Sequence, residues 1–137
     1  MLDAGTGSGI LAIAAALLGA ASVTAVEIDA YAAESAARNI EANGAREKVS
    51  LIIGNVAEKG VLSAETCFDL ITANLTCSLL EALLPVFRSA LKDEGTMILS
   101  GLLDSQEDRA VKALRNEGLR PAHVVKNGEW LMIEVRK

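Results

Sequence analysis

The sequence predicts an α/β fold: a doubly wound, mostly parallel sheet finished by a C-terminal antiparallel hairpin. Three observations carry that prediction. Gly5-Thr6-Gly7-Ser8-Gly9 runs straight into an Ala/Leu-rich stretch, as at a strand-to-helix turn. Short β-branched runs then alternate with segments of helix length, and Asn127-Gly128 separates the last two apolar runs. Such alternation gives parallel strands joined by right-handed crossovers, whereas Asn-Gly between two strands signals a hairpin.

The glycine turn opens the chain with only Met1 and Leu2 ahead of Asp3, so the first strand is expected to be truncated. Ser8 to Leu18 reads as a buried helix stopped by Gly19. Ser22 to Ile28 is β-branched and short, as a strand covered on both faces should be. Asp29 is placed to cap a helix from Ala30 to Asn43, and Lys48 to Ile53 forms the next strand. Gly54 to Thr66 reads as a loop with a helical turn, followed by a strand over Phe68 to Ala73. Ser78 to Leu91 is a helix expected to kink or to begin late because of Pro85. Asp93-Glu94-Gly95 reads as a turn, Thr96 to Leu102 as a strand, and Ser105 to Asn116 as a charged helix stopped by Gly118. Leu119 to Lys126 and Trp130 to Arg136 are the hairpin, with Trp130 as its apolar anchor.

A chain of 137 residues is the size of one domain. A net charge of -5 with only 3% aromatic residues argues against a nucleic-acid binder, which needs a basic face and stacking rings. A basic protein or a small neutral molecule fits better as substrate. Cys67 and Cys77 have neither metal-ligand spacing nor a His cluster, so they read as small, buried, reduced thiols of a cytoplasmic protein. The apolar stretch Ile10 to Val26 is broken by Gly19, Ser22 and Thr24, which excludes a membrane span or signal peptide.

Alternating glycines let a backbone turn sharply and present its N–H groups to a ligand, because no Cβ intervenes. Here the spacing is G-x-G-x-G rather than the dinucleotide-binding G-x-G-x-x-G, and Asp3 stands two places before the first glycine. A carboxylate there would repel pyrophosphate and suit a cationic ligand. Glu27, at the end of the second predicted strand, lies near the separation at which a carboxylate accepts hydrogen bonds from ribose hydroxyls; Asp29 is the alternative, with capping as its plainer role. Asn55, after the third strand, has an amide suited to an adenine edge or simply to a loop. Asn74, after the fourth, has an amide oxygen able to orient an amine, or else a capping role. His123, the sole histidine, is placed on an edge strand far from the turn and is not expected to be catalytic.

The strings D-A-G-T-G-S-G, A-V-E-I-D, I-I-G-N-V and F-D-L-I-T-A-N-L together resemble the Rossmann-like S-adenosylmethionine-dependent methyltransferases. The A-N-L, I-L-S-G-L and closing N-G-E-W-L-M-I-E-V-R-K strings are similar to the PrmA family, which methylates large-subunit ribosomal protein L-eleven. This resemblance spans the whole chain. It implies that Asp3, Gly5, Gly7 and Gly9 hold the methionine part of S-adenosyl-L-methionine, that Glu27 binds its ribose, and that Ile28 and Asn55 meet its adenine. Asn74 would meet both the cofactor and the target nitrogen. Leu75 and Thr76 stand where related amine and amide methyltransferases carry Pro-Pro. The resemblance further implies that a substrate-recruiting domain and most of the first strand lie outside the chain. An oligomer is expected if a second chain completes the sheet. The expected reaction is methyl transfer to an amine nitrogen of a ribosomal protein, with no direct nucleic-acid or membrane partner. Two rivals remain open. A non-catalytic methyltransferase remnant would act as a binding module, and a nicotinamide-dependent oxidoreductase would also use a glycine turn and a ribose acid.

Overall fold

The computed structural model describes residues 1–62 and 67–137, and its chain divides into two compact units, Met1–Ala64 and Glu65–Lys137. In the first unit the order is β1 (Leu2–Ala4), α1 (Ile10–Leu17), β2 (Val23–Glu27), α2 (Ala30–Ala42) and β3 (Val49–Ile53). The three strands lie parallel in the order β3-β2-β1. The first strand is short but formed: all three residues of β1 are buried, and they pair with Thr24, Ala25 and Val26. Small residues let the helices sit close on this sheet, with Ala12, Ala16 and Ala36 packed against Val23, Ala25 and Val49. The Lys48 ammonium donates to the Ala16 carbonyl at 3.1 Å, adding to the Gly19 N–H that the same oxygen accepts at 3.3 Å at the end of α1. Past β3 the loop makes an isolated bridge between Lys59 and Leu62; its predicted end, residues 63–66, lies outside the described residues.

The second unit comprises β4 (Phe68–Asn74), α3 (Cys77–Ala90), β5 (Leu91–Leu103), a single 3-10 turn over Asp104–Gln106, α4 (Glu107–Asn116), β6 (Arg120–Asn127) and β7 (Trp130–Arg136). Its strand order is β4-β5-β7-β6, with β4 and β5 parallel and β7 antiparallel to both of its neighbours. The hairpin is therefore antiparallel as expected. The first loop residue is Gly128, at φ 60°, and Asn127 is the last paired residue of β6.

Three expectations are corrected. Of the two alternatives for Pro85 the late start is removed: α3 runs through it as one element from Cys77, because its buried stripe of Leu80, Leu83, Leu84 and Phe87 outweighs one missing backbone hydrogen bond. The predicted turn Asp93-Glu94-Gly95 is an excursion inside β5: Phe68 pairs with Leu91 and Leu70 already pairs with Thr96, so the extra residues bulge out of a continuous strand. Cys67 is exposed and only Cys77 is buried, which corrects the reading of both as core residues. No helix among the described residues is long and apolar enough to cross a membrane, and none of their His, Cys, Asp and Glu side chains form a metal-binding group.

Candidate functional site

In the first unit the glycine turn connects β1 to α1. Gly5, Gly7 and Gly9 have φ of 71°, 57° and 84°, conformations open to glycine and costly for a side-chain-bearing residue. The N–H groups of Gly5 and Thr6 both donate to the Val26 carbonyl, at 2.9 and 3.0 Å, so the end of β2 anchors the start of the turn. Asp3 is 1% exposed, and the Thr6 hydroxyl donates to its carboxylate at 2.5 Å. From α2, the Asn39 amide donates to the Ser8 carbonyl at 2.8 Å.

Glu27 does more than the sequence suggested. One carboxylate oxygen accepts the Gly7 N–H at 2.8 Å and the other accepts the Asp29 N–H at 3.0 Å. It therefore ties the glycine turn to the entry of α2, while a carboxylate's remaining lone pairs stay available to hydroxyl donors. Asp29 takes its plainer role, capping α2 by accepting from Tyr31 and Ala32. Ile28, beside Glu27, is 68% exposed, an apolar surface of the kind a planar ring packs on. Asn55 turns the chain after β3: its side-chain oxygen accepts the Ala57 N–H at 3.0 Å, leaving the amide nitrogen as the part not committed to the turn.

In the second unit Asn74 ends β4 and is exposed, while the N-cap position of α3 belongs to Thr76. Its alternative role as a cap is thereby removed. Asn74 lines a recess of about 330 Å³ together with Ser100, Gly101, Val125, Asn127, Trp130, Leu131 and Met132. Trp130, the expected apolar anchor of the hairpin, is 55% exposed and forms a wall of this recess. His123 is exposed on β6, opposite Glu134 and outside the recess. Neither Gly101 nor Trp130 was identified as a site residue from sequence, although the I-L-S-G-L and N-G-E-W strings contain them.

Elsewhere in this unit the Arg109 guanidinium grips the Glu81 carboxylate through two bonds, at 2.7 and 2.5 Å, joining α4 to α3. That pairing lowers the Glu81 pKa and raises that of Arg109, while burial pushes the Cys77 thiol up. Cys77 is thereby kept protonated and unreactive.

The family described as Ribosomal protein L11 methyltransferase (PrmA) matches residues 1–137. A Ribosomal protein L11 methyltransferase of Pelotomaculum thermopropionicum is 40% identical over 134 residues, covering 98% of this chain and 42% of its own length. That of Syntrophomonas wolfei is 34% identical, covering all of this chain and 44% of its own. The chain thus spans a little under half the length of these curated relatives. The crystal structure of ribosomal protein L11 methylase from Lactobacillus delbrueckii subsp. bulgaricus superposes with a TM-score of 0.91 at 32% identity, covering 99% of this chain and 68% of that one. The fold is accordingly the Rossmann-like methyltransferase fold, mostly parallel with antiparallel C-terminal strands, and the chain belongs to the ribosomal protein L11 methyltransferase (PrmA) family.

Proposed function

We propose that this chain is the S-adenosyl-L-methionine-binding domain of an enzyme that methylates an amine nitrogen of a ribosomal protein in the cytoplasm. The observation that carries the reading is the pairing of a glycine turn with a strand-end carboxylate, Glu27, in a chain whose whole length matches this family. The residues present suit the cofactor. Positive-φ glycines keep the turn free of Cβ atoms where a ligand would approach, Glu27 has acceptor capacity for ribose hydroxyls, and Ile28 offers an apolar face. Asp3, Gly5, Gly7 and Gly9 are assigned to the methionine portion, Glu27 to ribose, and Ile28 and Asn55 to adenine. When bound, S-adenosyl-L-methionine supplies a methyl group on a sulfonium, a ready electrophile for a neutral amine.

Asn74 is assigned to the acceptor, its amide oxygen accepting an N–H so that the amine lone pair is aimed, with a further contact to the cofactor. Its contribution is orientation, which is worth several orders of magnitude in rate without any general base. The exposed Trp130 and the apolar side chains of the recess suit the alkyl stem of a lysine or the backbone of a protein N terminus. The net charge of -5 favours a basic protein over nucleic acid as acceptor.

The test is transfer of a radiolabelled methyl group to recombinant ribosomal protein L11, run beside calorimetric titration of the cofactor. Asn74→Ala should lower turnover by about 10²-fold or more while cofactor affinity stays within a few-fold, as expected of an orienting group. Equal loss of both would make Asn74 structural. Saturable NADH binding with none for S-adenosyl-L-methionine would replace the reading with an oxidoreductase.

A further inference from the structure

We propose that Gly101 is a positioning residue for Asn74: it fixes the amide by leaving room that any side chain would take. The inference rests on the assignment of Asn74 to the acceptor amine. Gly101 lies where β5 breaks register against β7, between Leu99 and Leu102, and has φ 79°. A Cβ built there would stand 2.5 Å from the Asn74 side-chain oxygen, 2.8 Å from the Leu75 carbonyl oxygen and 2.9 Å from the Leu75 nitrogen.

Two of those atoms are main chain and cannot yield freely. Asn74 is the register partner of Ser100, and the Leu75 N–H donates to the Ser100 carbonyl at 3.1 Å, so the backbones of β4 and β5 are fastened together at this point. The atom free to move is the Asn74 side-chain oxygen. A residue with a Cβ at 101 therefore turns that amide out of place and also presses on the Leu75 main chain, whose two close approaches no side-chain rotation relieves. The bulge thus does two things: it brings the β5 backbone against Asn74, and it makes glycine the residue that tolerates the approach. Gly118 and Gly128 show the contrast. They too have positive φ, 72° and 60°, yet a Cβ at either would meet nothing within 4 Å. Their glycines answer to the turn alone, whereas Gly101 answers to the turn and to Asn74.

The experiment compares Gly101→Ala, Asn74→Ala, the double variant and Gly118→Ala, the last being a control for positive-φ strain without a clash. Turnover is read with ribosomal protein L11 as acceptor. The Asn74 side-chain amide cross-peaks are read by ¹⁵N–¹H correlation, and the melting temperature is taken for every variant. Gly101→Ala should lower kcat by about 10²-fold, the scale of an ångström-sized misplacement, with cofactor affinity unchanged. It should also shift the Asn74 amide cross-peaks, and the double variant should turn over no more slowly than Asn74→Ala. Gly118→Ala should leave both kcat and those cross-peaks as they are. If Gly101→Ala folds poorly, adding Asn74→Ala should recover part of the lost melting temperature.

Full turnover in Asn74→Ala would overturn the functional assignment itself. Loss in Asn74→Ala with normal turnover in Gly101→Ala would overturn the positioning role alone, as would multiplicative losses in the double variant. Unmoved Asn74 cross-peaks in Gly101→Ala, or no recovery of melting temperature in the double variant, would overturn it without reference to activity.

Discussion

Replacing Glu27 by Gln keeps the side-chain volume and one acceptor oxygen while removing the charge. In the native structure both carboxylate oxygens are used, one by Gly7 N–H at 2.8 Å and one by Asp29 N–H at 3.0 Å, and Glu27 is 8% exposed. A hydrogen bond to a charged group contributes about 1.5–3 kcal/mol, against about 1 kcal/mol for a neutral one. Glutamine can retain one of the two at the neutral value, while its NH₂ group turns a donor toward the other N–H. The net loss is about 2–5 kcal/mol, and for a chain of this length it should lower the melting temperature by about 10 °C or more. The assay is a thermal melt followed by far-UV circular dichroism at neutral pH with no ligand added, so that any effect on ribose binding does not enter. A shift below about 2 °C, within the range of an ordinary surface substitution, would refute the idea that Glu27 braces the glycine turn.

Three further outcomes are expected. Asp29→Ala removes the cap that accepts from Tyr31 and Ala32, and it should cost about 1 kcal/mol of stability, seen as a melting temperature a few degrees lower, without weakening cofactor affinity by more than about two-fold. The Glu81 pKa is lowered by Arg109, so the pair stabilises the fold above the ordinary glutamate value of 4.5 and that contribution is lost as pH falls through the lower folded value. Melting temperature should therefore drop in acid, and the drop should be shallower in Arg109→Ala; an identical acid profile for the two proteins would contradict the pairing. Cys67 is exposed and Cys77 buried, so iodoacetamide at neutral pH should modify Cys67 first and reach Cys77 only on denaturant unfolding, as read by peptide mass mapping.

The elements were legible where local pattern and long-range packing agree. The β-branched run over Val23–Glu27 and the capped helix from Ala30 form almost where periodicity and Asp29 place them. What escaped the sequence was decided by partners distant in the chain. Asp93-Glu94-Gly95 has the composition of a turn, and only the pairing of Phe68 with Leu91 and Leu70 with Thr96 turns it into a bulge. Pro85 signals a break, and only the buried stripe of α3 overrides it. Trp130 has the bulk of a core residue, yet β7 alternates and the buried positions fall to Leu131, Ile133 and Val135. In the site, glycine spacing and strand-end acids and amides could be read directly, because their chemistry is that of single residues. Gly101 could not, since one glycine among 11 carries no mark of the atoms that crowd it.

Each unit holds its proposed functional group by main-chain geometry. In the first, the carboxylate of Glu27 is fixed by two main-chain N–H donors rather than by a cationic side chain. In the second, the amide of Asn74 is confined by the main chain at Gly101. A neighbouring lysine or arginine would hold a carboxylate just as firmly, but it would add a positive charge where the proposed cationic cofactor would bind and would change with ionic strength. Main-chain donors carry no net charge and sit on strands and turns whose geometry the sheet already sets. It follows that the binding of a cationic cofactor should be far more sensitive to substitutions that alter backbone conformation at the strand ends than to neutralising the surface ion pairs of Arg38 with Glu34 or Lys92 with Asp69.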